Sequence, residues 1–304
     1  MQAIEARAVR KTYGPTTALA GVDLAIAPGE AVAIMGASGS GKTTLLHVLA
    51  GIVTPDAGAV HLATPAGVVD VARLSDGERT RLRRERFGFV FQEGMLVPEL
   101  TAVENVALAL MLVGSSRASA IQEAAMWLGS LGLAGMEDRR IGELSGGQAQ
   151  RVAIARAQVT GASIVFADEP TGALDSVTSG EVMTALLGAT VGRGRTLVLV
   201  THDEQVAARC TRVVRMRDGL LVDAGASQAG PARPAAGMLP PPAPGTAVGA
   251  PSHGWAAQPQ AAAYAQPVAH PQSAAYSQSA AYSPTSAHAP APVAPTQQQW
   301  QGRA

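Results

Sequence analysis

Gly36-Ala37-Ser38-Gly39-Ser40-Gly41-Lys42-Thr43 carries the pattern G-x-x-x-x-G-K-[ST]. Its glycines allow a tight turn that aims several backbone N–H groups at phosphate oxygens, and a following helix start adds positive potential. Lys42 is placed to reach the β- and γ-phosphates of a nucleotide, and the Thr43 hydroxyl to ligate Mg²⁺; Thr44 completes the binding loop. The only other lysine in the chain is Lys11, so a lysine inside this pattern is not incidental. A second segment, Ile164-Val165-Phe166-Ala167-Asp168-Glu169, is an apolar run ending in two carboxylates. Asp168 is placed to hold Mg²⁺ directly or through water, and Glu169 to polarise an attacking water as general base. A third, Leu144-Ser145-Gly146-Gly147-Gln148, offers a hydroxyl and bare N–H groups at a helix start, a setting suited to a γ-phosphate.

The elements that must position these groups are readable from apolar runs. Residues 18–27 read as a strand region closed by Pro28-Gly29-Glu30, and residues 31–35 as a short buried strand. Residues 43–50 have helical character, with Leu45, Leu46, Val48 and Leu49 available for a core. Strand, glycine-rich loop and helix open an α/β nucleotide-binding unit. Further apolar strands are expected at residues 163–167 and 196–200, each ending in polar, chemically capable residues. Ligands of open α/β sheets sit at the carboxyl ends of the strands, where these residues fall.

The Ser145 segment, continued by Gln150-Arg151-Val152-Ala153-Ile154-Ala155-Arg156-Ala157, resembles the signature motif of ABC ATPases. The resemblance covers roughly residues 1–225. It implies an α/β P-loop NTPase core with an antiparallel β subdomain and a helical signature subdomain. The core would take residues 1–92 and 158–225, and the helical subdomain about 93–157. In that family the signature faces the nucleotide held by the P-loop of a second subunit, which assigns Ser145, Gly146, Gly147 and Gln148 to a dimer interface. Ala149 departs from the polar residue many members carry. By the same resemblance Tyr13, in Arg10-Lys11-Thr12-Tyr13-Gly14, would stack on adenine, where a flat π face suits a purine. Gln92, after Phe89-Val90-Phe91, would contact Mg²⁺ and water and sense a membrane partner. Asp175, in Gly172-Ala173-Leu174-Asp175, would cross the dimer interface, and His202 would contact the γ-phosphate. The remaining histidines, His47 included, are read as structural. The stretches Leu74 to Arg84, Phe87 to Gln92 and Asp168 to Asp175 resemble the lipoprotein-release, macrolide-export and cell-division branch, whose ATPases pair with permeases carrying a large extracytoplasmic domain.

Composition bounds the alternatives. The 304 residues have zero formal net charge, against a strong basic field for nucleic acid. The longest apolar run, Val106 to Val113, is far short of the roughly 18–20 residues of a membrane span. One cysteine, Cys210, excludes an intramolecular disulfide, and no charged-then-apolar leader opens the chain. The expected location is cytoplasmic, peripheral on the inner face of the cell membrane, with ATP and Mg²⁺ bound. Residues 226–304 change character: Ala, Pro, Gln, Ser and Tyr dominate, fourteen of the 20 prolines lie there, and Ala-Ala-Tyr recurs at Tyr264, Tyr276 and Tyr282. This reads as a disordered tail, either a passive appendage or a Tyr-spaced segment that binds a partner or a second copy.

Two functions follow from the resemblance. One is an ATPase driving export or extraction through a permease; the other transmits force through a permease-like partner to cell-wall enzymes. A soluble ABC ATPase acting on nucleic acid or ribosomes usually has two ATPase units or a long coiled coil, and this chain has one P-loop, one signature and no sustained heptads.

Overall fold

Ala31, Ala33 and Met35 alternate with Val32 and Ile34, and all five are buried. A strand that is apolar on both faces must be covered on both, and this one lies in the middle of the protein. The computed structural model describes residues 2–223; the expected tail at 226–304 lies outside the described residues. The chain opens with β1 (Ile4–Tyr13) and β2 (Thr16–Ile26), then runs through β3 (Ala31–Gly36) and α1 (Lys42–Leu49) to β4 (Ala57–Thr64) and β5 (Gly67–Asp70). Next come α2 (Asp76–Arg86), β6 (Phe87–Phe91), α3 (Ala102–Leu112), α4 (Arg117–Ser130) and α5 (Gly146–Val159). β7 (Ile164–Asp168), α6 (Ser176–Ala189), β8 (Thr196–Val200), α7 (Glu204–Ala207), β9 (Arg212–Arg217) and β10 (Leu220–Asp223) follow.

The strands form two sheets. One has four strands in the order β2-β1-β4-β5, antiparallel throughout. The other has six, ordered β10-β9-β3-β8-β7-β6, and is parallel from β9 to β6. The expected architecture, a P-loop core with an antiparallel β subdomain and a helical signature subdomain, is the observed one. Helices α3 and α4 fall within residues 93–157, and α5 runs on to Val159.

The alternation in β3 separates two cores. Val32, Ile34, Phe166, Val198 and Val200 face α1 and the antiparallel sheet, packing on Leu45, Leu49, Ile4, Leu19 and Ile26. Ala33, Met35, Val165, Ala167 and Leu199 face the opposite side, against Val106, Leu128, Ile154 and Leu186 of α3 to α6. Phe166 is fully buried and meets Phe87 edge-on at 5.1 Å. Truncating such a ring to alanine would cost about 3–5 kcal/mol. On the other face, α5 lies so close to β6 that a Cβ at Gly88 would overlap the Ala157 carbonyl oxygen. Thus α1 and α5 lie on opposite faces of one sheet.

Candidate functional site

Parallel pairing places the polar residues. Ile34 of β3 pairs with Val200 of β8, Val200 with Asp168 of β7, and Asp168 with Phe91 of β6. Neighbouring strands lie about 4.8 Å apart. The residues at or just past these partners, Gly36, Thr201-His202, Asp168-Glu169 and Gln92, therefore line one carboxyl edge of the sheet. The P-loop leaves β3 at that edge and enters α1.

The loop is braced from behind. A Cβ at Gly41, where φ is 99°, would drive into the Ala18 carbonyl of β2. The Gly219 N–H, between β9 and β10, donates to the Ser40 carbonyl at 3.2 Å. Ala37, Ser38 and Gly39 are exposed at the tip, whereas Ser40 is buried. No side chain caps α1, so its first-turn N–H groups lack a side-chain acceptor. The Lys42 ammonium is buried and donates to the carbonyls of Gly36 and Ala37, each at 2.9 Å, so it spans the mouth of the loop. The β1–β2 hairpin that touches Gly41 through Ala18 also carries Tyr13, 49% exposed, with the Lys11 ammonium 5.6 Å from its ring centroid.

Thr43 Oγ1 donates to Asp168 Oδ1 at 3.4 Å. Burial pushes the Asp168 carboxyl above its ordinary pKa, partly offset by the Thr43 hydroxyl and by His47, which lies near enough to favour the carboxylate. Glu169 sits in the left-handed backbone region at φ 47°. Such strain costs about 1–3 kcal/mol and persists only when neighbours enforce it; here the Glu169 N–H donates to Val200 O at 2.9 Å. The bend turns the side chain so that Oε1 lies 2.9 Å from His202 Nδ1. His202 is 72% exposed along its side chain, against 20% for Glu169. Gln92 lies against Gly172, where an added Cβ would come within 3.2 Å of the amide.

The signature residues are placed differently. Ser145 N-caps α5: its hydroxyl accepts the Gln148 N–H at 3.3 Å, and Gln148 Oε1 accepts the Ser145 N–H at 2.9 Å. Gly146 packs on Leu174, and a Cβ at Gly147 would collide with the Thr178 methyl. Asp175 N-caps α6, accepting from the N–H groups of Val177 and Thr178 at 3.0 Å and the Thr178 hydroxyl at 2.6 Å. These bonds, the Thr178 hydroxyl first, hold its carboxyl below the usual range. Asp175 and the signature thus form one surface at the starts of α5 and α6. The structure brings Lys42, Thr43, Asp168, Glu169, His202 and Gln92 to one edge. It places Ser145 at the head of a helix on the face opposite α1.

The residues present fit a magnesium nucleotide. The Ser40 hydroxyl is buried in the loop without a hydrogen-bond partner, as a phosphate cradle permits. Mg²⁺ commonly takes one or two carboxylates plus phosphates rather than a full protein cage. Thr43 and Asp168 supply such an incomplete oxygen set.

A family model described as ABC transporter matches residues 19–172. The chain belongs to the ABC transporter family. Among curated proteins, the pyoverdine export ATP-binding/permease protein PvdT of Pseudomonas aeruginosa is 46% identical over 240 residues, which cover 77% of this chain and 35% of that protein. The macrolide export ATP-binding/permease protein MacB of Escherichia coli is 45% identical over 227 residues, 73% of this chain and 34% of that one. The chain spans about a third of the length of these relatives. A solved dimer of the ATP-binding cassette MJ0796, in a post-hydrolysis state with ADP and Pi, is 38% identical with a TM-score of 0.67, covering 73% of this chain and 98% of that one.

Two residues of this ABC transporter chain were not singled out from sequence. Gln150, buried in α5, donates to Phe91 O at 2.8 Å, and Arg156 donates to Met95 O and Gly94 O, each at 2.6 Å. No local pattern announces either contact, because each crosses some sixty residues of chain. The caps did have a signal, Ser or Thr followed three residues later by Glu or Gln. That spacing occurs at several places, and at Ser75/Glu78, Thr101/Glu104 and Ser145/Gln148 the pair forms a capping box.

Proposed function

We propose that this chain is the ATP-hydrolysing subunit of an export system, acting as a head-to-tail dimer beneath a membrane-embedded permease. The observation that carries the reading is the single sheet edge bearing Lys42, Thr43, Asp168, Glu169 and His202. The Lys42 ammonium leaves the Gly36 and Ala37 carbonyls for the β- and γ-phosphates. The loop from Gly36 to Thr44 cradles those phosphates with backbone N–H groups. Bound Mg²⁺, held by Thr43 and Asp168 with Gln92 nearby, supplies charge neutralisation on the phosphate oxygens. Tyr13 stacks on the base. Glu169 accepts a proton from the attacking water at Oε1, and His202, released from that oxygen, turns to the γ-phosphate. Most of the rate comes from positioning and charge stabilisation, as is general for phosphoryl transfer.

The dimer is supported by the placement of Ser145 on the opposite face of the sheet from α1. One chain supplies Lys42 and its neighbours; a second copy supplies Ser145, Gly146, Gly147 and Gln148, with Asp175 between them. The solved MJ0796 dimer is consistent with this. Among the described residues no helix is long and apolar enough to cross a membrane. The permease partner is proposed to carry a large extracytoplasmic domain, docking at residues 93–103 and holding this subunit on the inner face of the membrane. The export proteins among the relatives favour this over force transmission to cell-wall enzymes. No nucleic acid is part of this reading.

The test is capture from membranes with the Glu169→Gln variant and ATP, followed by mass spectrometry. Recovery of a permease with a large extracytoplasmic domain is expected. Recovery of soluble or nucleic-acid-bound partners alone would overturn the transporter reading and leave the ATPase chemistry standing.

A further inference from the structure

The loop after β6 is held in a way that local sequence does not require. Two successive residues there have positive φ, Gly94 at 68° and Met95 at 45°, and the second is not glycine. The Met95 side chain is 66% exposed, so its own packing does not enforce this conformation. What holds the turn comes from α5, which begins at the signature. The Arg156 guanidinium grips the Gly94 and Met95 carbonyls at 2.6 Å each, and the Gln150 amide grips Phe91 O at 2.8 Å. Gln92 and Glu93 are the two residues between these grips.

Arg156 makes no ion pair with a carboxylate among the described residues, and burial pushes its guanidinium below its ordinary pKa. A half-buried cation bonded only to two carbonyls is a poor way to gain stability. It is a good way to fix two carbonyls at once, because the planar fork presents two N–H vectors at set spacing. Lysine, a single charge on a flexible stem, would not hold both in that geometry.

We propose that Arg156 and Gln150 are positioning residues for Gln92: they fasten the Gln92–Met95 turn to the signature helix, so that a displacement of α5 moves Gln92 at the nucleotide edge. The inference rests on the assignment of Gln92 to the nucleotide site.

The test uses the full chain and the substitutions Arg156→Lys and Gln92→Ala, singly and combined. Hydrogen exchange without nucleotide reads the clamp itself. In Arg156→Lys the amides of residues 92–95 should exchange about tenfold faster, while those of β7 and α1 are unchanged. Steady-state hydrolysis reads the consequence. Arg156→Lys should lower kcat about tenfold with KM for ATP within about twofold, and should change kcat less than about twofold in the Gln92→Ala background. Unchanged exchange at residues 92–95 would overturn the clamp whether or not the protein hydrolyses ATP. Equal losses of kcat in both backgrounds, or no loss in either, would show that Arg156 does not act through Gln92. If exchange rises as expected while neither Gln92→Ala nor Lys42→Ala affects hydrolysis, the assignment of the nucleotide site fails and the positioning proposal falls with it.

Discussion

The P-loop edge and the signature surface are built on opposite principles. At the P-loop edge, polar groups are provisionally occupied. Lys42 rests on two backbone carbonyls, Thr43 reaches Asp168 only at 3.4 Å, Glu169 holds an exposed histidine, and the Ser40 hydroxyl has no partner. Its backbone is strained at Glu169. At the signature surface the polar groups are already at work: Ser145 and Gln148 cap each other, and Asp175 accepts three hydrogen bonds. The first region is poised to exchange its partners for a ligand. The second is a finished surface that can be presented to one. Ser145 still has a hydroxyl proton to donate after accepting the Gln148 N–H, so presentation need not break its cap.

The comparison breaks most sharply at Lys42. Lys42→Ala should lower ATP hydrolysis about a thousandfold or more, measured as phosphate release, because the loop loses its only mobile cation. Activity near wild type would mean that the edge is not the phosphate site. Glu169→Gln comes next, with kcat reduced about a hundredfold to ten-thousandfold, as for a lost general base. ATP binding should persist, and size-exclusion chromatography with ATP should show accumulated dimer. Ser145 separates structure from chemistry at the second region. Ser145→Ala should cost about 1 kcal/mol in unfolding stability through the lost cap. Ser145→Asp should restore that stability, since Asp caps as well as Ser, while still blocking hydrolysis by setting an anion against phosphate. Thermal melts beside phosphate release would tell the two effects apart; an active Asp variant would remove Ser145 from the phosphate site.

Asp175 should show the smallest effect. Its carboxyl is held below its ordinary value, so the stability it contributes is fully present above the unfolded pKa of about 3.9 and is lost as pH falls through the lowered folded value. Wild type should therefore lose part of its stability below about pH 4 that Asp175→Asn does not lose. Parallel melting curves across pH 2.5–6 in the two proteins would contradict the cap as drawn.

Much of the first region could be read in advance because its chemistry is carried by short patterns. Glycine spacing specifies a loop, an apolar run specifies a buried strand, and two carboxylates at its end mark a candidate site. The expected strands at residues 31–35, 163–167 and 196–200 fall within a residue of β3, β7 and β8 at each end. The second region was recognised by its motif, but its caps, its packing on Leu174 and Thr178, and the Arg156 grip were not.

What the sequence alone determined is the inventory and the local geometry: a glycine-rich loop between a strand and a helix, two carboxylates after a strand, and a Ser-Gly-Gly turn at a helix start. Those depend on near neighbours along the chain, so composition and spacing suffice. Only the tertiary structure decided that β3 lies between β8 and β9, and that β7 lies beside β6. That order aligns Gln92, Asp168, Glu169 and His202 on one edge. It also set α1 and α5 on opposite faces. Parallel strands are joined by crossovers, and their ladders link residues as distant as Ile34 and Val200. Which strand is whose neighbour is decided by the packing of whole faces, and no short stretch of sequence contains that information.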